Sequence, residues 1–199
     1  MRRALPAAVF IVAANLARAQ TLPPDRPTIA YTIEFAFERF EAGFSEKGQR
    51  RISVSGDLIR DQALSGDDRT VYIADRKAGT LTEFDPADPQ RLIRVGPLGE
   101  MVMPMAEGYR PLLARQGAPR LLGPDRVAGT ACTRLAWQGQ GADRQEWCVS
   151  AQGIVLRAER KAGLTGTRLV ATRLDLAAPD PALFRPPPGF GPAPASPQK

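Results

Sequence analysis

Apolar and polar residues alternate along most of this chain, and this period of two is the feature that most restricts its fold. Every second side chain in residues 28–37 is apolar: Ile29, Tyr31, Ile33, Phe35 and Phe37. Similar segments, separated by Gly, Asp or Pro, occupy residues 50–59, 70–75, 80–85, 90–95, 154–160 and 168–176. A strand with one buried face has this pattern, and its repetition predicts a mainly β fold built from antiparallel sheet.

One segment, residues 97–115, has a different spacing. Met101, Met105, Tyr109 and Leu112 are three or four residues apart, which is helical spacing, but Pro104, Gly108 and Pro111 interrupt it. We therefore expect a short or kinked helix. Met101, Met103 and Met105 are suited either to ordinary core packing or to an adaptable apolar binding surface.

The two cysteines, Cys132 and Cys148, predict a disulfide across a β-hairpin. Their midpoint falls in the glycine-containing segment 139–141, where a hairpin can turn. The register that places the cysteines opposite each other also places Arg134 opposite Glu146. Leu135 and Trp147 then share the other face. Because directly opposed strand residues lie within disulfide reach, we expect a structural bond rather than a redox-active pair.

The first nineteen residues have the features of a cleaved leader. Arg2 and Arg3 precede the apolar run 4–16, and small residues at 17 and 19 place the cleavage before Gln20. As a helix, the run would measure about 20 Å, too short to cross a bilayer core of about 30 Å. We expect export to the periplasm by the general secretory pathway, without integral membrane insertion. No cysteine directly follows the apolar run, so the lipid-attachment site of a bacterial lipoprotein is missing.

The remaining chain divides into three parts. Residues 20–27 are expected to be a flexible N-terminus, and residues 28–185 a single domain. Residues 186–199 are proline-rich and are expected to be a disordered tail.

Composition removes several functional classes. The chain has no histidine, so histidine-dependent catalysis and histidine metal ligation are excluded. Its 27 basic and 21 acidic residues give the chain a net charge of about +3 once Arg2, Arg3 and Arg18 leave with the leader, too little to indicate nucleic-acid binding. We expect no enzyme activity, cofactor or metal.

Four groups of short motifs resemble the LolA-like superfamily of periplasmic proteins. They are Tyr72-Ile73-Ala74-Asp75 with Gly79 and Phe84-Asp85-Pro86; Val127-Ala128-Gly129 before Cys132; Cys148-Val149-Ser150 followed by Gly153-Ile154-Val155-Leu156; and Pro181-Ala182-Leu183-Phe184 with Pro186 and Gly189-Phe190. The resemblance implies an unclosed, curved antiparallel β half-barrel with one or two short helices on its concave side. It also implies an apolar concavity that holds acyl chains.

Two functional hypotheses follow. In the first, the protein is a non-catalytic periplasmic binder of lipid or lipoprotein acyl chains, because too little helix is available to cover its apolar sheet face. The expected cavity lining is Tyr31, Ile33, Phe35, Phe37, Met101, Met103, Met105, Tyr109, Leu135 and Trp147. In the alternative, the protein is a structural or interaction protein of the cell envelope. Its own side chains then fill the concavity, and its partner is another envelope protein.

Overall fold

One open, curved sheet makes up most of the computed structural model, which describes residues 21–65, 69–98, 105–139, 141 and 143–193. The first six strands are β1 (Tyr31–Glu41), β2 (Phe44–Ser55), β3 (Leu58–Ala63), β4 (Val71–Asp75), β5 (Thr80–Phe84) and β6 (Leu92–Pro97). After helix α1 (Arg110–Gln116) come β7 (Arg120–Val127), β8 (Thr130–Gln138), β9 (Arg144–Ser150), β10 (Val155–Ala162) and β11 (Thr165–Asp175). A 3₁₀ helix (Pro181–Phe184) precedes the two-residue strand β12 (Gly191–Pro192).

The sheet consists of two antiparallel meanders that meet at two long strands, β1 and β11. β1 is paired with β11 near the middle of the sheet. On one side of this pair, β2 to β6 follow in sequence order; on the other side, β10 back to β7 follow in reverse order. The pairing of β12 with β6 is parallel, and the other neighbouring pairs are antiparallel. The predicted mainly β, unclosed antiparallel half-barrel is confirmed.

Two details of the first meander differ from the sequence prediction. The predicted strand over 50–59 is two strands, because Gly56 and Asp57 form a two-residue turn in which Gly56 has a φ of +59°. The sequence pattern did not indicate this turn, because Asp57 occupies a position where alternation predicts a polar residue. Residues 46–48, a turn candidate from sequence because of Gly48, lie within β2, and the chain turns instead at Ala42 and Gly43, both with positive φ.

The main core lies on one side of the sheet, called the inner face here and defined by Tyr31, Ile33 and Phe35. Helix α1 contributes Leu112 to this core, and Tyr109 immediately before the helix is also buried. The expectation of a short helix is confirmed. The sheet side chains that point to the opposite side form the outer face.

A second, smaller core on the outer face includes the chain's C-terminal segment. Phe184 is buried with Val71, Ile73 and Phe84, and the Phe190 ring lies 5.4 Å from that of Phe84. Disorder was expected from residue 186, but residues 186–193 are ordered and include both Phe190 and β12. Residues 194–199 lie outside the described residues.

The segment 21–28, called the N-terminal strap, is held against the domain although flexibility was expected for residues 20–27. Arg110 N–H donates to the Asp25 carbonyl at 3.0 Å, and Thr28 N–H donates to the Gln152 carbonyl at 3.1 Å. Gly108 and Gly153 have positive φ, and a Cβ at either would collide with the strap backbone. These long-range contacts leave no periodic signal in residues 20–27. The expected leader, residues 1–19, lies outside the described residues.

Candidate functional site

Most of the side chains that were expected to line a cavity come together on the inner face. The inner-face cluster contains Tyr31, Ile33, Phe35, Met105, Tyr109, Leu135 and Trp147, all buried in one continuous core. Phe37 is only half-buried and lies at the end of this region, where its ring occupies the space beside Gly48 that a Cβ would fill. Met101 and Met103 lie outside the described residues.

The inner-face cluster is filled by the protein's own side chains. Tyr31, Phe35 and Leu135 are each 0% exposed, so no water-sized space adjoins them. Trp137, which was not among the predicted lining residues, helps to close this region. Its ring lies 5.8 Å from that of Tyr109 and 6.0 Å from that of Trp147, and its Nε1–H donates to the Gly117 carbonyl at 3.0 Å. Trp137 could have been predicted from sequence, because it lies two residues after Leu135 and therefore on the same face of the strand.

The strap and α1 cover the open side of this cluster. The Tyr109 hydroxyl donates to the Pro23 carbonyl, which joins the strap to the residue that precedes the helix. Burial raises the pKa of the Tyr109 phenol, and the nearby Asp25 charge raises it further. Tyr109 therefore remains a neutral hydrogen-bond donor, well suited to holding a backbone carbonyl.

An ion pair lies on the inner face, beside the inner-face cluster. Arg50 is directly opposite Phe35, and its Nε donates to Asp61 Oδ1 at 3.1 Å while its Nη2 donates to Asp61 Oδ2 at 2.5 Å. The Asp61 side chain is only 5% exposed. Because burying a carboxylate is costly without charged or hydrogen-bonding partners, this two-bond pairing fixes Arg50 in place. This part of the inner face is therefore ionic rather than apolar.

The Tyr31 hydroxyl is a second polar group within the inner region. Burial raises the pKa of this phenol well above its ordinary value; the Arg76 charge opposes the increase and the Glu107 charge adds to it. Arg76 donates to Glu107 Oε1 at 3.3 Å, so the two charges partly neutralise each other. Tyr31 is thus a neutral core residue.

The disulfide between Cys132 and Cys148 is present, with the two Cα atoms 5.5 Å apart. The hairpin register that we predicted for it is wrong. Cys132 is opposite Ser150, and Cys148 is opposite Arg134, so the bond joins diagonal neighbours and the hairpin centre lies one residue later than expected. A shift of the pairing by two residues keeps every side chain on its face. Leu135 and Trp147 accordingly remain on the inner face.

Ion pairs surround the disulfide on the outer face. Arg134 Nε lies 3.0 Å from Glu146 Oε1, and Arg157 Nη2 lies 2.8 Å from Asp125 Oδ2. The backbone N–H of Arg126 and the guanidinium of Arg157 both donate to Asp125, which lowers the pKa of its carboxyl group. The Asp125 carboxylate is thus an ionised partner of the neighbouring Arg157.

Beside these ion pairs is an open space of about 650 Å³, called the basic cleft here. It lies along the outer face of β7 to β10 and the end of α1. Its cationic lining residues are Arg120, Arg134, Arg144 and Lys161, against the acidic residues Glu146 and Glu159. This site could not be recognised from sequence, because its residues come from four strands and form a group only once the register is known.

Two further observations concern membranes and metals. Among the described residues, no helix is both long enough and apolar enough to span a membrane. Nor does this part of the chain bring together three or more cysteine or carboxylate side chains in a group that could hold a metal ion.

Comparison with solved structures shows a shared fold at low sequence identity. Pseudomonas aeruginosa MucB in its complex with MucA matches with a TM-score of 0.51 and 21% identity, covering 78% of this chain and 55% of the other. A structure of MucB alone matches with a TM-score of 0.56 and 20% identity, covering 81% of this chain and 58% of that chain. This protein therefore spans little more than half the length of MucB.

Two other solved structures match over most of their own length. An uncharacterised conserved protein from Thermus thermophilus has a TM-score of 0.53 and 13% identity, with 83% of this chain and 90% of that chain covered. A LolA superfamily protein from Nitrosomonas europaea has a TM-score of 0.43 and 10% identity, with coverage of 81% and 92%. No protein-family model matches the sequence, and no curated protein is significantly similar to it. At these identities the matches with TM-scores above 0.5 show a shared fold alone, the one found in MucB and in the Thermus thermophilus protein.

Proposed function

We propose that this chain is an exported, non-catalytic protein of the cell envelope that acts by binding another envelope protein. The observation that carries the proposal is the filled inner face, where Tyr31, Phe35 and Leu135 have no exposed surface. An acyl carrier of this fold needs apolar space at that place. Here an open space of about 650 Å³, the basic cleft, lies instead on the outer face, where it suits a polar ligand or a protein surface.

Two further observations support this choice. The buried Arg50–Asp61 pair places opposite charges on the inner face, where an acyl chain would have to displace or desolvate them. The solved MucB–MucA complex also provides an example of a protein with this fold that binds a protein partner. Export is supported by the leader-like residues 1–19 and by the disulfide, which fits an oxidising compartment.

Phe35→Trp distinguishes a filled interior from an acyl-binding cavity. Because the Phe35 ring is completely enclosed, the larger indole should overpack the core and lower the free energy of unfolding by about 1–3 kcal/mol. The wild-type protein should show no saturable binding of a fluorescent fatty acid. Urea denaturation and fatty-acid titration of wild type and variant provide the two measurements.

The matched control is Phe44→Trp, since Phe44 is 64% exposed at the start of β2. That change should alter stability by less than about 0.5 kcal/mol. Saturable fatty-acid binding that Phe35→Trp weakens without loss of stability would contradict the filled-interior proposal and favour acyl-chain carriage.

Binding to a protein partner is tested directly by photocrosslinking in cells. The full chain, with its own leader, is expressed in a Gram-negative bacterium with benzoylphenylalanine placed at Lys77, Gln138 or Leu164, which are exposed and lie far apart. At least one position should give a discrete adduct of constant mass with a second protein after irradiation. Absence of an adduct from all three positions would contradict the proposed function.

A further inference from the structure

We propose that the basic cleft binds an acidic, extended segment of the partner protein. This inference rests on the proposed function and specifies the chemistry of the surface that the partner presents. Three observations carry it: cations that lack counter-ions, the separation between those cations, and a buried amide oxygen that has no hydrogen-bond partner.

The first observation is a difference in charge balance between two neighbouring cross-strand rows of the outer face. A row here is a set of residues that lie directly opposite one another on adjacent strands. Glu146 and Glu159 are directly opposite each other on β9 and β10. Their repulsion is relieved by arginines, since Arg134 lies 3.0 Å from Glu146 and Arg168 lies 3.1 Å from Glu159. The acidic row is therefore neutralised within the protein.

The next row has no such compensation. Arg144 is directly opposite Lys161, and Gln138 on β8 is opposite Arg144. Like charges directly opposite on adjacent strands are destabilising. In the described part of the chain, no carboxylate lies within ion-pair distance of Arg144 or Lys161. The same holds for Arg120, which lies at the β7 end of the acidic row, opposite Ala136, and all three side chains are exposed. An anionic ligand would supply the missing counter-charges.

The separation of these cations indicates the form of the anion. Arg120 on β7 and Lys161 on β10 are three strand spacings apart, about 14 Å across the sheet, and Lys161 lies two residues further along its strand. An inorganic phosphate is too small to contact both. In an extended chain, side chains two positions apart on one face are about 7 Å apart, and those four positions apart are about 14 Å apart. Acidic residues alternating along an extended segment therefore match the span.

The third observation concerns the wall of the cleft formed by the end of α1. The Gln116 side chain lines the cleft, and its Oε1 atom is buried without a hydrogen-bond partner within the described residues. An unsatisfied buried acceptor is costly, and rotation of the Gln116 side chain toward the cleft would let a backbone N–H of a bound peptide satisfy it. Such a donor is available on a peptide and absent from an inorganic anion.

The test uses the full mature chain and labelled synthetic peptides. The probe is a fluorescein-labelled nonapeptide in which glutamate alternates with valine, with a matched peptide that carries glutamine in place of glutamate. Fluorescence anisotropy should show binding of the acidic peptide, weakened by raising the salt concentration, and at least about tenfold weaker binding of the glutamine peptide. Arg144→Glu with Lys161→Glu should weaken binding of the acidic peptide by about tenfold or more.

The matched control variant is Lys77→Glu with Arg94→Glu, which makes the same change in net charge on β4 to β6, far from the cleft. It should retain binding, and both variants should keep the wild-type circular dichroism spectrum. Equal loss in the two variants would show a general charge effect and overturn the proposal, as would absence of acidic-peptide binding. Cleft-dependent binding of phosphatidylglycerol vesicles without peptide binding would assign the cleft to a membrane surface instead.

Photocrosslinking separates failure of this inference from failure of the proposed function. The inference predicts that benzoylphenylalanine at Gln138, in the cleft, forms the partner adduct and that Arg144→Glu with Lys161→Glu removes it. An adduct at Lys77 or Leu164 but none at Gln138 would overturn the cleft assignment and leave the proposed function standing. No adduct at any position would contradict both.

Discussion

Arg50→Met should lower the free energy of unfolding by about 3 kcal/mol, because it leaves the buried Asp61 carboxylate without its guanidinium partner. We place the effect at the lower end of the usual 3–5 kcal/mol range, since the Arg50 side chain itself is half-buried rather than enclosed. Urea denaturation at neutral pH, followed by tryptophan fluorescence, measures the change.

The neighbouring residue provides the matched control. Arg51 pairs with Glu34 at 2.7 Å on the outer face, where both side chains reach solvent, so Arg51→Met should cost less than about 1 kcal/mol. Arg50→Met combined with Asp61→Leu should recover much of the lost stability, because an apolar pair can replace a buried ion pair. Equal effects of Arg50→Met and Arg51→Met would show that the inner pair behaves as an ordinary surface pair.

This ion pair matters for function as well as for stability. The opening of a binding cavity between α1 and the sheet would expose the wall that contains Phe35, Arg50 and Asp61. An acyl chain entering there would meet a charged wall, which disfavours binding of a hydrocarbon. A strong dependence of stability on Arg50 would therefore also support the protein-binding proposal over acyl carriage.

The sheet was predictable from sequence because its signal is local. Alternation at every second residue identifies the inner side chains of a strand, such as Tyr31, Ile33 and Phe35, without any knowledge of the strand's partners. The cysteine hairpin shows the limit of this reasoning. Its faces and its disulfide are as predicted, but glycine-containing turns allow more than one register, and the pairing is displaced by two residues.

Features that depend on distant contacts could not be predicted in this way. The strap packs against Gly108 and Gly153, which are far from it in sequence, so neither residue marks 21–28 as ordered. Whether the concavity is open or filled depends on how α1 and Trp137 pack, and alternation cannot show this. The basic cleft likewise requires the registers of β7 to β10, because Arg120, Arg144 and Lys161 share no local motif.

Removing the disulfide with Cys132→Ala and Cys148→Ala should lower the free energy of unfolding by about 2–5 kcal/mol. The bond closes a short loop between β8 and β9 in the unfolded chain, and its loss increases the conformational freedom of that chain. Because Cys148 is 0% exposed, part of the loss in the variant will come from packing rather than from the cross-link. Urea denaturation of the oxidised wild type and the double variant measures the total.

Reduced wild-type protein separates these two contributions, because it keeps both sulfur atoms and lacks only the bond. Its stability should lie between that of the oxidised protein and that of the double variant. The β8–β9 ladder, which pairs residues from Cys132 to Gln138 with Ser150 to Arg144, should remain after reduction. Arg134 and Arg144 therefore keep their places in the basic cleft, and acidic-peptide binding by the folded protein should change by less than about twofold. Unchanged stability on reduction would show that the disulfide does not stabilise this hairpin, whereas loss of peptide binding in folded, reduced protein would show that the bond itself shapes the cleft.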